Sequence, residues 1–334
     1  YLACWNPITE AWEAIGSTNK PSSEVLAIIV TPEGDLIVGG SLFIKRYSLT
    51  TGSPPAWTDE TNGIDLGSYI PMKFVISPNN IIYSAGYFQN AAGSKNYGLV
   101  YGNYTSTGIV WAAVPWSEIS TGDKFNDIVL AANDDIVVGG LFTDLDGVSG
   151  ATNIARVAVD TVTSINALNG EVFAVKFGDT GYLYAGGKFT NAGGIANADH
   201  IAKWSGTQWE SLGTGTDDDV HDIVIKSGKV YASGTFSIAG GIKLADRIAV
   251  YSNGAWQPLD IDLPGVGIVN SILPASDGSL YIGGAFSTAG ETPDVNAETG
   301  IVALNLNVTS ASANTYPFIG VFGPGTLKSI TNYR

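Results

Sequence analysis

Val220-His221-Asp222-Ile223-Val224-Ile225, Lys226-Ser227-Gly228-Lys229 and Val230-Tyr231-Ala232-Ser233-Gly234-Thr235-Phe236 read as a strand, a tight turn and a second strand. Small residues follow (237–241), then a third strand, Arg247-Ile248-Ala249-Val250-Tyr251. Asn253-Gly254 supplies the positive-φ pair of a hairpin. Ala255-Trp256-Gln257-Pro258-Leu259 is a fourth, outer strand, where a proline is tolerated. Four antiparallel strands joined by hairpins form one compact unit.

The close of the second strand recurs along the chain. Val38-Gly39-Gly40-Ser41-Leu42-Phe43, Ser84-Ala85-Gly86-Tyr87-Phe88, Val138-Gly139-Gly140-Leu141-Phe142, Ala185-Gly186-Gly187-Lys188-Phe189 and Ile282-Gly283-Gly284-Ala285-Phe286 repeat the pattern, with phenylalanines 45 to 54 residues apart. Short strands at a period of about 40–50 residues specify a β-propeller blade. The expected fold is therefore all-β, one propeller over 1–334 with repeats at about 25–71, 72–121, 122–171, 172–219, 220–268 and 269–320. Segments 1–16 and 322–334 supply the third, fourth and innermost strands of a closing blade that lacks its second strand. Seven sectors are the favoured count, with six as the alternative.

Each glycine pair is expected to let a neighbouring blade approach closely, and each phenylalanine to plug the gap between blades. Trp204 with Trp209, and Tyr251 with Trp256, pair across outer hairpins. Trp57, Trp111 and Trp116 fall outside that pattern and are the candidates for an exposed glycan-stacking rim.

Composition narrows the function. A net charge of −15, from 31 acidic and 16 basic side chains, opposes a phosphate backbone or an anionic membrane. No apolar run approaches the roughly 20 residues of a spanning helix. One cysteine, Cys4, excludes an internal disulfide, and only 14% of residues are charged. The surface is expected to be rich in Ser, Thr, Asn and Gly, which suits an extracellular, cell-surface or virion-exposed protein. Asn103 and Asn307 lie in glycosylation sequons. The chain begins at Tyr1 and is expected to be part of a larger polypeptide or assembly.

Two histidines and one cysteine exclude a Cys₂His₂ zinc site. No nucleophile elbow, phosphate loop or sialidase box is present. The densest polar cluster is Asp217-Asp218-Asp219-Val220-His221-Asp222, where a loop meets an innermost strand at the channel mouth. Calcium at Asp217 and Asp219 would relieve carboxylate repulsion, and a solvated acidic loop is the other reading. Asn126 with Asp127, His221 with Asp222, Asn270 with Ser271 and Lys328 with Ser329 occupy equivalent inner-strand positions, and Asp127, His221, Asp222 and Asn270 among them are candidate ligand-binding residues.

The strand, the glycine pair, a third strand ending in Tyr or Trp and a Trp about five residues later resemble the kelch repeat. Gly186-Gly187-Lys188-Phe189-Thr190-Asn191-Ala192-Gly193-Gly194 with Ile201-Ala202-Lys203-Trp204 is similar to repeats of fungal cortical polarity-marker proteins and of bacterial and viral surface proteins. The resemblance implies a propeller and no particular activity. The expected function is a non-enzymatic surface module that binds protein or glycan, or builds an assembly, without cofactor unless calcium binds. Two alternatives stand: a glycan hydrolase or lyase using Asp127 and Asp222, and a polarity or adhesion ectodomain.

Overall fold

The computed structural model describes residues 2–6, 11–16, 18–48, 56–61, 66–90, 92–105, 107–131, 133–158, 161–243, 247–259, 267–274, 280–285, 301–304, 318–323 and 326–332. Their strands form seven antiparallel sheets. In chain order, the inner strands of the first six are Val25–Val30, Leu66–Ile76, Lys124–Leu130, Val172–Phe177, Val220–Lys226 and Val269–Pro274. Each neighbours the inner strand of the next sheet, and Thr326–Asn332 stands between the sixth and the first. The chain is a β-propeller whose sheets stand around a central channel.

The closing sheet joins the two ends of the chain in the order Ala11–Ala14, Leu2–Asn6, Phe318–Gly323, Thr326–Asn332. The second strand that the sequence reading left missing is thus Phe318–Gly323. It precedes its inner strand instead of following it, so the expected order of strands was the obstacle. The expected boundary at 71/72 also moves, because it falls inside the strand Leu66–Ile76. That strand bulges twice, between Leu66 and Ser68 and between Pro71 and Lys73, yet pairs with Ile81–Asn90 from Leu66 to Ile76.

Packing explains the recurring motif. The apolar clusters join residues of adjacent sheets: Ala85 and Leu99 with Phe125 and Phe142, Val137 and Ile154 with Val175 and Phe189, Ala174 and Ile201 with Ile223 and Phe236. Phe43, Phe88, Phe142, Phe189 and Phe236 are all buried, whereas Phe286 lies outside the described residues. The two glycines of each pair serve different purposes. A methyl group on Gly186 would meet Val220 Cγ1 of the next sheet at 2.6 Å, whereas one on Gly187 would strike the carbonyl oxygen of Glu171 in its own sheet.

Outer strands are fastened by indoles. Trp57 Nε1–H donates to Ile15 O (2.9 Å), Trp111 to Glu60 O (2.7 Å), Trp209 to Ile165 O (3.0 Å) and Trp256 to Leu212 O (2.6 Å). Each bond ties one sheet to the end of the preceding one. Trp57 and Trp111 therefore belong to the same series as Trp209 and Trp256, and both are buried. Trp116 is buried as well, in the cluster of Phe142, Leu145 and Val162. None of the three forms an exposed stacking rim, because a large apolar ring beside an inter-sheet gap is drawn into it. The Trp204–Trp209 and Tyr251–Trp256 pairs are edge-on, with centroids 5.4 and 5.3 Å apart.

Candidate functional site

Every inner strand of the first six sheets carries a β-bulge at the same register. The extra residues are Leu26, Met72, Asn126, Phe173, His221 and Asn270. A bulge leaves one residue outside the ladder and re-aims its side chain. All six line one cavity of about 300 Å³ at the channel mouth. The sequence carries the signal as apolar residues three apart, such as Val25/Ile28, Phe125/Ile128, Val220/Ile223 and Val269/Ile272, each pair buried. Strict alternation would place such residues on opposite faces, so pairs that share one apolar cluster at that spacing require an inserted residue.

The cavity is apolar along the first two sheets, where Leu26, Ile28 and Met72 line it, and mixed around the next four, where Asn126, Phe173, His221, Asn270 and Ser271 do. Both inner-strand aspartates lie against it but are engaged by the fold. Asp127 Oδ1 accepts the N–H of Ile128 (3.0 Å), while Oδ2 accepts those of Val175 (2.9 Å) and Lys176 Nζ (2.7 Å). Burial works to raise this carboxyl, but Lys176, Lys73 and the Val175 amide outweigh it and hold it below the usual carboxylate range. Burial likewise works to lower Lys176, and Asp127 with Asp222 overcomes it and raises the ammonium. Asp222 repeats the bridge one sheet on, accepting Ile223 N–H at Oδ1 and Ile272 N–H at Oδ2, both at 2.9 Å.

His221 packs edge-on to Phe173 at 5.1 Å and lies 3.3 Å from Asn270 Oδ1. Burial pushes its imidazole below the ordinary value despite the Asn270 contact. Lys124 pairs with Glu171 at 3.1 Å, and Asn126 Nδ2 donates to Glu171 Oε1 and Val172 O.

The structure separates the aspartate run. Asp217 accepts Ser237 N–H and Oγ–H and Ile238 N–H, which outweigh burial and lower its carboxyl. Asp218 Oδ1 caps the N–H of Asp219. Asp219 faces Lys188 (3.8 Å) and His200 (3.7 Å), and burial raises its carboxyl against Lys188. No group of three His, Cys, Asp or Glu side chains able to hold a metal occurs among the described residues. Asp127, His221, Asp222 and Asn270 share the cavity, while Asp217, Asp218 and Asp219 are not among its lining residues. Asn103 is exposed on a strand, and Asn307 lies outside the described residues.

Comparison with known proteins gives the fold. The chain is similar to a streptogramin B lyase (TM-score 0.57, 16% identity, 90% of this chain and 84% of that one). It is equally similar to the extracellular domain of the hybrid two-component system BT3049 from B. thetaiotaomicron (TM-score 0.57, 14% identity, 95% of this chain and 41% of that one). The WD40 propeller domain of Doa1 aligns at a TM-score of 0.50 and 12% identity, over 85% and 79% of the two chains. At these identities the likeness is one of β-propeller architecture alone. No protein-family model and no curated protein matches the sequence. No helix among the described residues is long and apolar enough to cross a membrane.

Proposed function

We propose that this chain is a non-enzymatic extracellular binding module that takes part of a protein or glycan partner into its channel mouth. One observation carries the reading: six successive inner strands each turn an extra side chain into one cavity, and both aspartates that an acid–base pair would need are engaged by neighbouring backbone. A glycosidase needs one carboxyl kept protonated as general acid, whereas Asp127 is held ionised. The resemblance of the repeats to those of surface proteins is what favours a surface, virion or adhesion setting for the same activity. Calcium at the 217–219 loop has no part in it.

The test compares wild type with Met72→Trp, which fills the cavity, on a glycan array and a peptide array. The expected result is a ligand set retained by wild type and lost by the plugged variant at unchanged melting temperature. Equal binding by the plugged protein would remove the channel from the reading. Turnover of an arrayed glycan would make the protein an enzyme.

A further inference from the structure

The charged groups around the channel mouth are unequally committed. Asp127, Asp222, Lys176, Lys124 and Glu171 are all in ion pairs or hydrogen bonds with the protein itself. Lys73, on the second inner strand and beside the bulged Met72, makes no hydrogen bond or ion pair with the described residues. Its charge is felt by Asp127 without direct contact, since the Asp127 oxygens are occupied by two amides and Lys176. A half-buried ammonium with three uncommitted N–H donors therefore faces the cavity next to the aliphatic side made by Leu26, Ile28 and Met72.

Resting on the channel-mouth reading above, we propose that the cavity receives the free C-terminus of a polypeptide ending in an apolar residue. The terminal carboxylate accepts from Lys73, and the last side chain lies against Leu26, Ile28 and Met72 of the first two sheets. Charge-assisted hydrogen bonds are the stronger kind, and the donors left over in this cavity suit an acceptor that is itself ionised. Beside Lys73 the lining residues Leu26, Ile28 and Met72 offer nothing to the hydroxyls of an acidic sugar, whereas they suit an apolar last side chain, which is why a peptide end fits better. A cavity of about 300 Å³ is at the small end of ligand sites, so it holds the end of a chain and not a folded surface.

Calorimetric titration of acetyl-Gly-Gly-Leu with a free carboxylate, against the same peptide as its C-terminal amide, tests this. Wild type should prefer the acid by about tenfold or more. Lys73→Met should erase that preference, Lys73→Arg should keep most of it, and Met72→Trp should abolish binding of both. Equal binding of acid and amide, a preference surviving in Lys73→Met, tighter binding of glucuronate than of the peptide, or no binding of the acid at millimolar concentration overturns the proposal. A ligand that is blocked by Met72→Trp but indifferent to Lys73→Met would overturn it while leaving the channel-mouth reading in place.

Discussion

The third and fourth sheets close their second hairpins with the same loop and fill it differently. In both, the residue after the phenylalanine loop begins is left-handed: Asp144 at φ 41° and Asn191 at φ 49°. The hydrogen bonds match one for one, with Leu145 N–H to Ala151 O in the third and Ala192 N–H to Ala198 O in the fourth. Beneath the loop, the fourth sheet buries Ala192 against Trp209, whereas the third buries Leu145 against Val162. Gly193 lies so close to the indole that an added Cβ would sit 2.9 Å from Trp209 Cδ1, and its counterpart is Asp146 at φ 53°. A small residue accompanies the large ring, and a larger one accompanies valine. The third sheet has no indole of its own there, and Trp116 from the preceding sheet joins its cluster. The lesson is that inter-sheet volume is what the repeat holds constant, while the residues supplying it change.

The largest effect should come from emptying the fourth sheet's cluster. Trp209→Ala should cost about 3–5 kcal/mol in urea unfolding, because the ring is fully buried and its N–H holds the preceding sheet. Val162→Ala in the third should cost much less, and similar costs would break the comparison.

Next comes the inner-strand position that differs between the two, Asp127 against Ala174. Asp127→Asn should cost somewhat under the roughly 3 kcal/mol of breaking a fully buried pair, since Lys176 keeps 25% of its side chain exposed. The native Asp127 carboxyl titrates below its ordinary 3.8. Its contribution is therefore complete above about pH 4 and is lost as pH falls through the native value. The wild-type-minus-variant difference should shrink in acid; a difference that grew there would reverse the assignment.

A smaller effect is expected from Gly193→Asp, about 1–3 kcal/mol, from overpacking against Trp209. Combining it with Ala192→Leu and Trp209→Val rebuilds the third sheet's filling, and the triple variant should be more stable than the sum of its single changes. Strict additivity would show that the two fillings are not interchangeable. The smallest is Asp146→Gly, where relief at φ 53° should offset the entropy lost on folding, leaving a melting shift of a degree or two at most. A loss above about 1 kcal/mol would mean that the Asp146 side chain has a role beyond its backbone.

Much of the fold could be read from the chain because its determinants are local. The strand pairs, the tight turns at 226–229 and 253–254, and the Gly-Gly-x-Phe ends all lie within single repeats. The site was legible only in part. Asp127, His221, Asp222 and Asn270 were found from their equivalent places in the repeat, but Lys73, Met72, Leu26 and Phe173 were not. The bulge that aims them disturbs alternation by one residue, a weak signal in any one strand and a clear one only when six are superposed. Trp57, Trp111 and Trp116 misled because their burial is decided by an adjoining sheet about 50 residues away.

By itself the sequence determined a ring of four-stranded units, since a period of about 49 residues with glycine gaps and phenylalanine plugs can bury its faces only against copies of itself. Tertiary structure alone decided which polar groups remain available. Whether an aspartate or a lysine at the channel is spent or uncommitted depends on amides and side chains delivered by the next sheet, and that accounting exists only once the ring has closed.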